Sequence, residues 1–181
     1  MHRLVVATLV LASAATGCSS GGGGGSIPSS SPAVNATSAP LLPTNVYALP
    51  DVTPSGFTRL LAELHGTPVV VNVWGSWCGP CRQEGPRLAA AARRYGRRVQ
   101  FLGLDVKDFD KGPARAFIGQ MGWTYPSLFD PTPTGDVEIQ GIGKYAQPVT
   151  VFYSRAGKIV YQVSRPIPDA ELATGIRRIL A

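Results

Sequence analysis

The chain is poor in the residues that hold metals, carry haem or build covalent frameworks. Its 181 residues include 3 cysteines, 2 histidines and 2 methionines. A structural zinc site needs about four ligands, and among Cys and His the sequence beyond Cys18 offers only Cys78, Cys81 and His65. Copper capture by thiolates finds no His or Met close in sequence to complete it. Covalent haem attachment takes a His directly after the second cysteine of C-x-x-C, and Arg82 stands there. No metal and no cofactor is therefore expected. Aromatic and basic residues nowhere alternate as they do on single-strand nucleic-acid surfaces. The net charge of +6 is scattered, with small clusters at Arg93-Arg94 and Arg97-Arg98 that read as a solvated helix face, or as a weak attraction to anionic headgroups. No internal repeat is visible.

No apolar run reaches the ~20 residues of a membrane-spanning helix. The longest, at the N-terminus, runs from Leu4 to Ala12 behind a single Arg and leads through small residues to Cys18. That pattern predicts a secretory signal over residues 1–17. Ala15-Thr16-Gly17-Cys18 resembles the bacterial lipobox, with Ala15 where Leu is usual. Cys18 is accordingly the expected lipidation site and new N-terminus, with plain secretion or a retained anchor as alternatives. Residues 18–45 are Gly, Ser, Pro, Ala and Thr with almost no charge. They bury too little surface to offset ordering and read as a flexible tether. Residues 46–181 are enough for one domain with a real core.

What this domain does have is Trp77-Cys78-Gly79-Pro80-Cys81. A C-x-x-C pair opening a helix sets its first sulfur among unpaired backbone N–H groups at the positive end of the helix dipole, which favours thiolate over thiol. The thiolate is the nucleophile of disulfide exchange, so Cys78 is the candidate attacking residue. Cys81, nearly one turn later, is placed to resolve the mixed disulfide. Pro80 suits a first helical turn because its N–H is not needed there. A purely structural disulfide across so short a loop would restrict the unfolded chain little.

Around this motif the pattern predicts an amphipathic helix over 54–65, capped by Thr53 and carrying Phe57, Leu60, Leu61 and Leu64. It then predicts a strand over 68–74, apolar on both faces and so central. A helix runs from the motif to about residue 95 and must accommodate Pro86. A strand over 99–106 completes a right-handed βαβ unit. A helix over 113–121 stops at Gly122, and 123–147 reads as irregular. Strands over 149–153 and 158–163 form a hairpin, and a helix begins near residue 168, with Leu172, Ile176, Ile179 and Leu180 on one face.

This order, with WCGPC at the end of the first strand and Pro86 five residues past Cys81, resembles the thioredoxin fold: an α/β architecture with a central mixed sheet flanked by helices. The subgroup it is most similar to is the membrane-tethered thiol–disulfide oxidoreductases of cytochrome c maturation. That resemblance implies a cis peptide bond at Gln147-Pro148, lying against the cysteine pair and offering backbone groups to an extended substrate. Gln147 departs from the Thr that thioredoxins often carry. Asn72 stands where cytoplasmic thioredoxins have a buried acid, and Glu84 matches a glutamate near the thiols that can carry the proton leaving Cys81. A surface helix residue is the alternative for Glu84. Trp77 is implied as a wall of the substrate groove, and Trp123, Tyr125 and Tyr145 are candidates for the same groove.

The expectation is an extracytoplasmic, lipid-anchored oxidoreductase on the outer face of the cytoplasmic membrane. It reduces protein disulfides, apocytochrome c among them, and draws on a membrane electron donor, with no nucleic-acid partner. The Gly79-Pro80 dipeptide is that of reducing thioredoxins. An oxidase donating disulfides to secreted proteins, and a non-catalytic module that holds extended peptides, are the rival readings.

Overall fold

The computed structural model describes residues 42–135, 137 and 147–181. The proposed leader, Cys18, most of the tether and Tyr145 therefore lie outside the described residues. The elements are α1 (Pro54–Glu63), β1 (Val69–Trp74), α2 (Gly79–Tyr95), β2 (Gln100–Asp105), α3 (Lys111–Met121), β3 (Ser127–Phe129), β4 (Val149–Tyr153), β5 (Ile159–Val163) and α4 (Asp169–Leu180). No described helix is long and apolar enough to cross a membrane.

The strands form one sheet in the order β3-β2-β1-β4-β5. β1, β2 and β3 are parallel, β4 runs antiparallel to β1, and β5 antiparallel to β4. All six residues of β1 are buried, as a central strand covered on both faces requires. Because side chains alternate along a strand, Val70 and Trp74 enter one core with Phe101, Phe152 and the inner faces of α2, α3 and α4. Val69, Val71 and Val73 enter the other with Leu102, Leu104, Val149, Val151 and α1 residues Phe57 and Leu60. By the same alternation Asn72 and Thr150, partners in the β1–β4 register, face the α2 side. This is the mixed sheet flanked by helices that the resemblance implies.

Two helix boundaries differ by two residues from the sequence expectation. α1 ends at Glu63 with Leu64 as its C-cap; Leu61 and Leu64 still pack against the α1-side core, partly buried. α3 begins two residues early, because the Asp110 side chain accepts the Gly112 N–H at 2.7 Å and caps the helix there. It stops at Gly122 in the left-handed conformation, as predicted. The segment after it is not wholly irregular: Ser127–Phe129 adds β3 to the edge of the sheet. α2 runs on through Pro86.

Candidate active site

The site forms where the C-terminal ends of β1 and β2 meet the start of α2. Cys78 is the N-cap of α2, with Gly79 and Pro80 opening the helix. Cys78 and Cys81 are disulfide-bonded, with Cα atoms 5.3 Å apart. The Cys81 N–H points at Cys78 Sγ at 3.1 Å, the interaction that stabilises a thiolate there once the bond opens. Cys78 is 3 % exposed and Cys81 1 %, so both residues are buried while the disulfide is closed. Trp77, by contrast, is 54 % exposed.

Trp77 owes its position to Gly75: a Cβ there would meet the indole Nε1 at 2.6 Å and the Val106 carbonyl oxygen at 3.1 Å. The next residue, Ser76, is fastened on both sides. Its N–H and Oγ–H donate to Asp108 Oδ2 and Oδ1 at 2.8 and 2.6 Å. Its carbonyl accepts from Arg82 at 2.9 Å, and that guanidinium also bonds Gln120 and lies over the Phe117 ring. The active-site loop is thus tied to α3 and to the loop before it. The sequence reading missed Ser76, Asp108 and Arg82, because no motif spacing links a loop serine to an aspartate 32 positions away.

The Gln147–Pro148 peptide bond is cis. Val149 pairs with Val73, which puts Pro148 level with Trp74, at the end of the sheet from which the cysteine loop departs. Gln147 is half-buried and Pro148 buried.

Glu84 is not a surface residue. It lies three residues after Cys81 on α2, so the two side chains are neighbours on one face about 5–6 Å apart at Cβ, and it is fully buried. Asn72 Nδ2 donates to Glu84 Oε1 at 2.7 Å and to Thr150 Oγ1 at 3.3 Å, while the Ile167 N–H donates to Oε2 at 2.8 Å. Burial pushes the carboxyl up to about 7, outweighing the Ile167 and Asn72 hydrogen bonds and the nearby Arg87, which pull it down. A carboxyl poised near neutrality beside a dithiol can take up and release a proton under ordinary conditions. Burial, and then the charge of Glu84, raise the Tyr125 phenol well above its usual range.

Trp123 and Tyr125 belong to the core that also holds Cys78 and Cys81. They are buried, stacked on each other at 4.9 Å, and Trp123 also meets Trp74 and Phe117 edge-on. The Trp123 indole N–H donates to the Gly85 carbonyl at 2.9 Å, fixing α2 from beneath. Asp105, another residue the sequence reading passed over, ends β2 opposite Trp74 and is fully buried. The side chain it meets is that of Asp108, and the Val106 N–H gives its carboxylate only weak support. Burial, then the contact with Asp108 and the charges of Asp108 and Asp130, push its carboxyl up to about 9. Protonated, it can donate to Asp108. Among the described residues no three of His, Cys, Asp and Glu are grouped to hold a metal ion.

The chain is similar to known thiol–disulfide proteins. The AhpC/TSA family model matches residues 47–162. The thiol:disulfide interchange protein DsbE of Allochromatium vinosum is 34% identical over 140 residues, 77% of this chain and 74% of its own length. The thiol-disulfide oxidoreductase ResA of Bacillus thuringiensis is 30% identical over 104 residues, 57% of this chain and 58% of its own. Among solved structures, a secreted Mycobacterium tuberculosis disulfide oxidoreductase homologous to E. coli DsbE aligns with a TM-score of 0.54 and 26% identity, covering 65% of this chain and 85% of that one. A DsbF homologue from Corynebacterium diphtheriae gives 0.55 and 27%, over 65% and 75%. With its cysteine pair at the head of α2 and its match across most of the folded residues, the chain belongs to the AhpC/TSA thioredoxin-like family and is a thiol–disulfide oxidoreductase.

Proposed function

We propose that this oxidoreductase is a lipid-anchored reductant outside the cytoplasm that reduces protein disulfides, its best-fitting substrate being the C-x-x-C-H pair of an apocytochrome c before haem attachment. The observation that carries the reading is the buried Glu84, held between Asn72 and Ile167 one helical turn from Cys81, together with Gly79-Pro80 between the cysteines. In the reaction, the Cys78 thiolate attacks a substrate disulfide, forming a mixed disulfide and releasing one substrate thiolate. Cys81, deprotonated through Glu84, then attacks Cys78 Sγ and releases the second. The substrate gains two electrons and two protons, and Cys78–Cys81 becomes the disulfide. Trp77, Gln147 and Pro148 frame the substrate segment, with the cis-proline loop offering backbone groups to an extended chain.

The cell-surface part of the proposal rests on the leader-like residues 1–17, the lipobox-like run ending in Cys18, and the similarity to a secreted Mycobacterium tuberculosis disulfide oxidoreductase. A tether of this composition keeps Cys78 and Cys81 within reach of a membrane electron donor, which a reductant outside the cytoplasm requires. Deleting the gene should lower membrane c-type haem, and added thiol reductant should restore it. Normal c-type haem in the deletion strain, with slowed oxidation of secreted thiols, would give the role to the disulfide-donor alternative. Full function of a Cys78→Ser chain would leave only the peptide-holding module.

A further inference from the structure

The register of the sheet gives the folded residues two ends. At one, β1 ends at Trp74 and the cysteine loop begins. At the other, Gln100, Val69 and Tyr153 stand level across β2, β1 and β4, and the turn into β5 lies beyond Tyr153. α2 and α4 both run from the first end to the second. Ile167, just before α4, bonds Glu84 near the start of α2, and Arg87 comes within 3.9 Å of Asp169. Further along, Arg94 and Tyr95 of α2 face Ala173 and Ile176 of α4 across a groove.

This topology sorts the charges. Arg93, Arg94, Arg97 and Arg98 close α2 and its exit at the second end. Arg155 and Lys158 occupy the turn there between β4 and β5, and Arg177 and Arg178 close α4. All are exposed, and none pairs with a described carboxylate. Arg94 and Arg98 lie over the Tyr95 ring, Arg178 lies over Tyr161, and Arg155 donates to the Gly66 carbonyl. The described acid at this end, Glu63, lies 4.0 Å from Arg59. The acids gather instead toward the cysteines: Asp105, Asp108 and Asp130 where β2 and β3 end, Asp110 at the cap of α3, and Asp169 and Glu171 at the opening of α4. A solvated helix face would account for α2 alone. It does not account for three separate elements bringing unpaired bases to one end.

We propose that this basic end is a docking surface for a bilayer carrying anionic phospholipid, which seats the domain with its cysteine pair facing away from the membrane. The inference rests on the membrane residence proposed above. The stretch from Cys18 to Leu42 can extend to about 80 Å, so the tether lets either end meet the bilayer and leaves the choice to charge. Basic residues are drawn to an anionic surface, and the acid-rich cysteine end is repelled by it. Seated this way, the domain holds Cys78 about 25 Å above the headgroups, the length of the 17-residue α2. The disulfide is then open to partners in the aqueous phase and to a donor domain projecting from the membrane. A nucleic acid or an acidic protein would match the sign of the patch, but neither is the surface to which Cys18 would tie the chain.

The test uses residues 18–181 with Cys18→Ala, which keep both cores entire and carry no lipid, so the outcome is independent of whether Cys18 is acylated. Partition is measured by sedimentation onto vesicles of phosphatidylcholine alone and of phosphatidylcholine with one third phosphatidylglycerol, at low and at higher salt. Each basic residue near an anionic surface strengthens binding by about fivefold. The chain should partition onto the anionic vesicles by about tenfold or more over the neutral ones, and the excess should shrink as salt rises. Arg97→Gln with Lys158→Gln should lower anionic partition by about tenfold or more. Both side chains are exposed and make no hydrogen bond or ion pair with a described residue, so the fold is not at risk. Lys107→Gln with Arg165→Gln removes the same charge from the cysteine end and should lower partition by less than about threefold. On the anionic vesicles, dithiothreitol should reduce the Cys78–Cys81 disulfide within about twofold of its rate in solution, because the pair stands beyond the Debye length of about 8 Å. Equal partition onto both vesicles, equal losses in the two double variants, or reduction slowed beyond that twofold overturns the proposal.

Discussion

Replacing Glu84 by Gln should remove a pH dependence of stability while leaving the surrounding hydrogen bonds intact. Asn72 Oδ1 has no partner, so rotating the Asn72 amide lets Oδ1 accept from the Nε2 of the introduced glutamine and from the Thr150 hydroxyl, while the new side chain's Oε1 keeps the Ile167 N–H. What disappears is the titration. The acid's ordinary value of 4.5 is raised to about 7 in the fold. Between those two values the folded state binds the proton that the unfolded state has released, so this contribution to stability is complete below 4.5 and is lost as pH rises through 7. Integrating between pH 5 and pH 8 gives a loss of about 2.5 kcal/mol, at about 1.4 kcal/mol per pH unit across the window. The assay is urea denaturation of both proteins, with the disulfide intact, at pH 5, 6, 7 and 8. The stability of Glu84→Gln minus that of the unsubstituted chain should rise by about 2.5 kcal/mol over the series. Parallel curves would mean that the buried carboxyl is not pushed upward and would remove the basis for its role as a proton carrier. The same change removes a negative charge next to the dithiol, so the pH midpoint of Cys78 alkylation should move down.

Replacing Cys81→Ser should trap mixed disulfides with partners through Cys78, whereas Cys78→Ser should trap few; thiol labelling that finds Cys81 the more reactive would exchange their roles. Asp105→Asn should be more stable relative to the unsubstituted chain at pH 8 than at pH 5, because the acid it replaces is raised to about 9 and its contribution is lost as pH climbs from its ordinary value of 3.8; equal differences at both values would contradict this. Cys18→Ala should release the protein from the membrane fraction or leave its leader uncut, and unchanged retention with normal processing would defeat the lipid anchor.

The elements that hydrophobic pattern alone defines were legible: β1 from its unbroken VVVNVW, α4 from its apolar stripe, and the turn from α2 into a parallel β2. The cysteine pair was legible because its chemistry depends on local spacing. What was not legible depends on contacts distant in sequence. β3 is three residues long between prolines and loop, too short to show a period. Trp123 and Tyr125 sit in a Pro- and Gly-rich stretch that reads as a groove wall, and the aromatic cluster they complete around Trp74 and Phe117 is not visible in it. The burial of Glu84 is set by α2 facing Asn72 on β1 and by the backbone before α4 reaching back from Ile167. Asp105 and Asp108 look like ordinary polar residues at a strand end. Only the register of β2 against β1 places one beneath Trp74 and the other against Ser76.

If this pair gives electrons to its substrates, its reduction potential must be low. That potential is measured by equilibrating the full chain against graded glutathione and dithiothreitol couples and trapping the free thiols of Cys78 and Cys81. It should lie near or below about −200 mV, in the range of reducing thioredoxins. A value near about −120 mV, that of a strong disulfide donor, would rule out the reductant role.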